Sequence, residues 1–548
     1  MHNLTKKLHQ RKYLYTLFLI ISILIVLFVN LRPGFVFATG DYRYHINRIE
    51  ALATAIQHFN FLPKVDEFFS GGLGYASSLF YPDLFLYPAA ILRVLGVPIV
   101  VTYLLTQVGI NFLTLTVTFL AGKRLHFSTK NNLIFTFVYV LSSYRLQVLY
   151  SRHDIGELMG MIFFPLVLSE LINLKKGNTK EWYVLTFAMV GIGLSHIISL
   201  FMMVCFAAMY VILNLKYFWD KDRIMAIVKA AIVSIGLVFG FYAPILEQMA
   251  DQQFTLKTDP LIFIYQQTQS FTDLVSHSFS NQVFHASTVN VGFVVFVGLV
   301  VYSIYNLIKR KNISLTLIAL FMFISCSDWF PWYQLRDTLF SAFQFPWRFF
   351  SVISLIVAYF IANDDLHIFD IKYTTPVLLI GMLILSFALG QFTVQASPWR
   401  INSYQSYNQI SSYLIGAGHE YLPSEVNYDD VKENKARTLD YDSKQIKISN
   451  QKITKNIIKF KFDAKNKSKV VLPLFYYKGY QANVSGDGHS TVPALNKQNG
   501  YAQIKLSGSG TVVVQYHYTT IQKIGLAVSL ATAGYCGYLI WRRRQSID

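Results

Sequence analysis

The chain has 548 residues with a mean hydropathy of +0.38; 53% are hydrophobic and only 14% are charged. Soluble domains carry roughly 25% charged residues, so the composition excludes a soluble globular protein and points to a polytopic membrane protein. The net charge of +18 would suggest nucleic acid in a soluble chain, but here the basic residues fall in short loops between apolar runs, as membrane orientation is encoded, and no zinc-finger or RNA-binding spacing accompanies them.

Lys6, Lys7, Arg11 and Lys12 keep the N-terminal tail in the cytoplasm, and Tyr13 to Asn30 is the first span, running outward. Val36-Phe37-Ala38 would suit a signal-peptide cleavage site, but the apolar run is long for one and many spans follow. Residues 79–96 are apolar yet broken by Pro82, Asp83, Pro88 and Arg93. Reading them as a re-entrant or interfacial helix, not a span, keeps every strongly basic loop on one side.

The following spans are then Ile99–Ala121, Leu133–Leu149, Leu158–Leu174, Trp182–Leu194, Ile197–Leu215, Ile224–Pro244, Val291–Ile308, Ile313–Cys326, Phe349–Ala362 and Pro376–Phe392. Charges are nearly absent from their middles, which argues against an ion-coupled conduction path. The exterior loops are 33–98, 150–157, 245–290 and 327–348. The third of these carries Glu247, Asp251, Asp273, His277 and His285.

The polytopic membrane domain thus covers residues 1–392. From 393 to 519 the chain turns polar, and Ile446–Ser449, Ile457–Phe462, Val470–Phe475, Ala502–Leu506 and Thr511–Tyr516 read as short strands. Asn-Lys, Ser-Gly-Asp-Gly and Ser-Gly-Ser-Gly tracts punctuate them, so this part reads as a small extracellular all-β, sandwich-like domain. Residues 520–548 supply a twelfth span and a basic cytoplasmic tail, Arg542-Arg543-Arg544. Cys205, Cys326 and Cys536 lie far apart in or beside apolar runs and read as packing residues.

The candidate chemistry gathers at the exterior ends of spans. Gly40-Asp41-Tyr42-Arg43-Tyr44-His45-Ile46-Asn47-Arg48 follows the first span, and a helix beginning near Asp41 puts Asp41, His45 and Arg48 on one face. Such a face can meet the phosphate and sugar of a lipid-linked substrate; solvated interface charges with Asp41 capping a helix are the plainer alternative. Asp154 and Glu157, beside Arg152, form a second acidic pair, suited to general-base work or to sharing a divalent metal with Asp41, and suited equally to favourable placement at a helix N-terminus.

Arg348, after Phe345-Pro346-Trp347, can hold a phosphate at headgroup depth or anchor an aromatic belt. His196, at a hairpin tip, can bind phosphate or a metal, or serve as a satisfied interface histidine. Trp329, Trp332 and Trp347, and the run Phe475-Tyr476-Tyr477-Lys478-Gly479-Tyr480, could stack on sugars; belt and core packing are the alternatives.

The order of these motifs resembles a known family. It runs from Gly-Asp-x-x-x-His-x-x-Arg through Tyr81-Pro82 and Leu86-Tyr87-Pro88 to Ser143-Tyr144-Arg145, Arg152-His153-Asp154 with Glu157, Ser195-His196, Phe345-Pro346-Trp347-Arg348 and Glu420-Tyr421-Leu422-Pro423. This is similar to the bacterial membrane proteins labelled 6-pyruvoyl-tetrahydropterin synthase-related, which look like a branch of the C-type (GT-C) integral-membrane glycosyltransferases. The resemblance implies hexosyl or pentosyl transfer from a polyprenyl-phosphate-linked sugar to a cell-envelope glycan or lipid, at the outer face of the bacterial plasma membrane.

It also implies that Asp41 is the key carboxylate and Asp154 the second acid. Metal-using relatives often carry paired acids at that second position; Asp154-Ile155-Gly156-Glu157 differs, which leaves open whether Mg or Mn is bound through Asp41 and Asp154. His45, Arg48, Arg152, His196 and Arg348 are the residues expected to hold substrate or phosphate. The expected partners are the lipid-linked donor, the envelope acceptor and the bilayer, with no nucleic acid. A lipid or polysaccharide transporter and a non-enzymatic envelope scaffold are the competing functions.

Overall fold

The computed structural model describes residues 2–32, 34–281, 289–396, 401–405, 410–434, 437–454 and 457–545. His285 lies outside them.

Every run expected to be a span is helical. Among the described residues, seven helices are long and apolar enough to cross a bilayer: Lys12–Asn30, Ile99–Arg124, Ile155–Lys175, Lys221–Asp251, Pro346–Asn363, Thr374–Ala396 and Thr520–Arg542. Thr129–Val140 and Ser143–Arg152 make an eighth if the pair, bent by 45°, is one span. Tyr183–Gly193, Ile197–Leu213, Phe293–Lys309 and Ile313–Ile324 are apolar but shorter. Helices serve here because an apolar solvent requires each peptide group to find its partner within the segment. This is a multi-pass membrane protein. Residues 79–96 hold no long helix; Tyr87–Val94, entered by Pro88, has only 8 residues.

Two compact units share the chain. The first comprises residues 1–43, 98–234 and 262–409; the second comprises 44–97, 235–261 and 410–548. Loop 44–97 and segment 235–261 therefore pack with the β-rich part.

At the centre of the first unit is helix Ile155–Lys175, wholly buried. Pro165 has no N–H, so the Met161 carbonyl loses its helical donor. Tyr139 replaces it, its hydroxyl donating to that oxygen at 2.8 Å.

Among the described residues, the charge-poor spans expected from the sequence hold two buried exceptions; Lys229, in another, is exposed. Arg145 is 1% exposed and donates to Asn111 (2.7 Å), Thr114 (3.0 Å) and the Val140 carbonyl (3.1 Å). The bend at Leu141–Ser142 frees that carbonyl to accept it. Glu170, also buried, pairs with Arg124 at 2.7 Å. A three-stranded sheet (Leu31–Arg32, Phe35–Phe37, Ile401–Ser403) ties the exit of the first helix to residues far along the chain.

In the second unit, seven strands form one antiparallel sheet. Four of the expected short strands are fused into two long ones, Ile458–Phe475 and Tyr501–Tyr516. The Asn-Lys and Ser-Gly-Ser-Gly tracts are irregularities within these paired strands, which shift register between Leu506 and Gly508. All of these strands are connected through the two long ones. The sheet's core face carries Ile458, Phe460, Phe462, Ile504, Val512 and Val514, all buried.

The last helix meets segment 235–261 through small residues: Gly240 abuts Gly525, and the Gly240 N–H donates to the Ser529 hydroxyl at 2.8 Å.

Candidate active site

A cluster of charged groups gathers at the N-terminal end of the buried central helix. Residues Val148–Arg152 form a π-helical turn closed by His153 in the left-handed region (φ 51°). Such turns recur where a helix must re-aim side chains. The reversal is braced from Ile99–Arg124, where Tyr103 donates to the His153 carbonyl (3.3 Å) and Gln107 meets the His153 Nδ1 (3.2 Å).

Asp154 then caps the helix, its Oδ1 accepting from the Glu157 N–H at 3.0 Å. Its Oδ2 faces Arg152 at 3.5 Å and both Arg348 and His196 at 3.9 Å. Glu157 is fully buried; it accepts from the Tyr144 hydroxyl (2.7 Å), Arg152 Nη1 (2.8 Å) and Arg348 Nε (3.3 Å).

Arg348 also donates to the Phe343 carbonyl (2.7 Å) and Gln344 (3.1 Å). Both guanidinium carbons lie 5.1 Å from the centre of the Phe345 ring, which stacks on Trp347. Two carboxylates and two guanidiniums thus neutralise one another, all but the partly exposed Arg152 out of water, the arrangement that makes a buried charge tolerable.

Asp41 is exposed and sits at the edge of this cluster. Its N–H donates to the Arg152 carbonyl at 2.7 Å. Gly40 makes that approach possible. Its φ is +55°, and a Cβ there would lie 2.1 Å from the Arg152 oxygen. The Asp41 carboxylate is among the charges acting on Arg152.

His196 caps the next helix of the cluster. Its Nδ1 accepts from the Ser199 N–H (3.3 Å) and hydroxyl (2.8 Å), so the proton of the neutral ring is on Nε2, toward Asp154. Burial lowers its pKa to about 4, the pull of Asp154 only partly opposing it; Arg348 and Arg152 lower it further and Glu157 raises it.

An unfolded histidine takes up its proton near pH 6.5. The folded protein therefore loses stability as pH falls from about 6.5 to about 4, and no more from this group below that. His196→Asn, which can still cap, should flatten this part of the unfolding-temperature profile against pH. An unchanged slope would assign the loss to other groups.

The structure thus brings together Asp41, Arg152, Asp154, Glu157, His196 and Arg348. His45 and Arg48 belong to the second unit, on helix Tyr42–Gln57. There Arg48 is buried; its Nη2 donates to Asp83 (2.7 Å) and the Pro82 carbonyl (2.8 Å), with its guanidinium 3.9 Å from the centre of the Tyr81 ring. These contacts occupy the cation expected to meet phosphate.

Asp66, unremarked in the sequence, is buried nearby in that unit, accepting from the Ser78 N–H (2.7 Å) and hydroxyl (2.6 Å). Burial, reinforced by Asp83, raises its pKa. Tyr144 was visible as a motif residue, but its role as a donor to Glu157 depends on the π-helical turn.

The aromatic candidates are mostly internal. Trp332 is buried, with its Nε1 on the Ser325 carbonyl (2.7 Å), whereas Trp329, stacked on Phe271 at 3.9 Å, is exposed. Phe475, Tyr476, Tyr477 and Tyr480 are all buried. Among the described residues no group of three or more His, Cys, Asp or Glu could hold a metal ion.

No family model matches the chain, and no curated protein matches it. Two solved structures are similar to it. The mycobacterial arabinofuranosyltransferase AftD is 15% identical, with a TM-score of 0.43 over 70% of this chain and 27% of that one. The apo oligosaccharyltransferase of Archaeoglobus fulgidus is 13% identical, with a TM-score of 0.41 over 75% of this chain and 61% of that one. The chain therefore spans about a quarter of the first structure's length and under two thirds of the second's.

Proposed function

We propose that the chain is a C-type integral-membrane glycosyltransferase, moving a hexose or pentose from a polyprenyl-phosphate carrier to an acceptor of the bacterial envelope. One observation carries the reading: an exposed carboxylate, Asp41, is pinned by its backbone to a neutralised cluster of Arg152, Asp154, Glu157, His196 and Arg348 at the end of a buried helix. Lipid-linked sugar transfer needs a base for the acceptor hydroxyl and a cation for the departing phosphate, both at the membrane surface. Asp41 orients or deprotonates the hydroxyl. Arg152, only half-buried, is the cation beside it and steadies the phosphate oxygens. Asp154 and Glu157 fix Arg152 and Arg348 in place.

The basic short loops support cytoplasmic termini, with the cluster and the β domain outside. The donor set argues against a divalent cation at Asp154. Its Oδ1 is engaged in the helix cap, and its Oδ2 faces two guanidiniums and an imidazole. Such surroundings repel Mg or Mn.

The test is the full chain in proteoliposomes with polyprenyl-phosphate hexose and pentose donors and an envelope extract as acceptor. Release of the free polyprenyl phosphate, undiminished by EDTA, is the expected result. A donor that crosses the bilayer with its sugar intact would instead indicate a transporter, and loss of transfer in EDTA would place a metal in the site.

A further inference from the structure

Three helices of the first unit begin at the charged cluster: Ile155–Lys175 after Asp154, Ile197–Leu213 after His196, and Pro346–Asn363 at Arg348. All three end around one cavity of about 270 Å³, lined by Lys175, Lys176, Tyr210, Tyr217, Asn312 and Tyr359 among others. A helix of this length spans about 30 Å, so the cavity opens at the opposite membrane face from the cluster. It is not part of the site already described.

Several cations at that face are held by carboxylates. Arg124 pairs with Glu170 and Glu181, Lys130 with Asp370, and Lys311 with Asp365. Lys175, Lys176 and Lys216 have no such carboxylate among the described residues. Instead the ammonium groups of Lys175 and Lys216 both lie 4.9 Å from the centre of the same ring, Tyr217. Like charges gathered beside one cavity repel, and an anion that joins them relieves the repulsion. Tyr210, Asn312, Ser314 and Tyr359 add hydroxyl and amide groups that suit phosphate oxygens, and Ile172 and Leu315 give the lining an apolar part. Ile212, Leu215 and Trp219, each two residues along the chain from the lining residues Tyr210 and Tyr217, are exposed, Trp219 by 78%. They offer an apolar, interfacial surface for what is attached to that phosphate.

We infer that this cavity binds the phosphate of an anionic phospholipid from the leaflet facing the basic loops. The inference does not depend on the reaction proposed for the opposite face.

The test compares unfolding temperatures in nanodiscs of phosphatidylcholine alone and with added phosphatidylglycerol. Phosphatidylglycerol should raise the midpoint of the wild type. In the double variant Lys175→Gln, Lys216→Gln at least half of that rise should vanish, while Lys175→Arg keeps it. Equal midpoints of wild type and double variant in phosphatidylcholine alone would show that the fold is intact. A rise of equal size in the double variant, or none in the wild type, would overturn the site. A rise reproduced by millimolar inorganic phosphate would overturn the lipid as its source.

Discussion

Asp41→Asn should lower sugar transfer by about 10²- to 10⁴-fold, the range that a positioned general base contributes, and leave the protein folded. The substitution changes one oxygen for an amide and keeps the backbone N–H that donates to Arg152 at 2.7 Å. The side chain is exposed, and a surface change of this kind typically moves stability by no more than about 0.5 kcal/mol. Loss of rate without loss of unfolding temperature would separate chemistry from structure. Because Asn keeps the shape but cannot accept the acceptor's proton, kcat should fall much more than KM rises. A variant with wild-type turnover would remove Asp41 from the reaction and leave the cluster behind it a structural device.

The sequence reading recovered the helices because hydropathy is a local property: each apolar run marks its own helix. It also found the cluster's members, since Asp154, His196 and Arg348 all stand at helix starts, where polar residues interrupt apolar runs. What it missed depends on contacts distant along the chain. Arg145 is tolerated in a span because the helix bends beside it and Asn111 and Thr114 face it from another helix; counting charges within a window cannot see either. The Asn-Lys and Ser-Gly-Ser-Gly tracts have the composition of turns, yet they sit in long strands that pair with each other, and pairing is not encoded in the tract. The spacing of Asp41, His45 and Arg48 did predict a helix. It could not show that Arg48 is occupied by Asp83, a residue that looked only like an interruption of an apolar run.

Glu157→Gln tests the other end of the arrangement and should be the most destabilising single change in the cluster. Glu157 is 0% exposed, and its oxygens take Arg152, Arg348 and Tyr144. Glutamine has nearly the same volume, so the effect is one of charge, not of a cavity. With Glu157 neutral, two guanidiniums share one remaining carboxylate, Asp154, which reaches them only at 3.5 and 3.9 Å. Removing one partner of a buried ion pair costs about 3–5 kcal/mol, because the other is left uncompensated. Tyr144→Phe removes a single hydrogen bond to the same carboxylate and should cost about 1–3 kcal/mol. The pair Glu157→Gln, Arg348→Gln should cost less than the sum of its parts, since each change relieves the charge that the other strands. Thermal unfolding of the purified protein in detergent would measure all three. If Glu157 supports the site and does not react in it, transfer by the variant should follow the fraction of folded protein. A fully folded, inactive Glu157→Gln would instead make this buried acid a participant in the reaction.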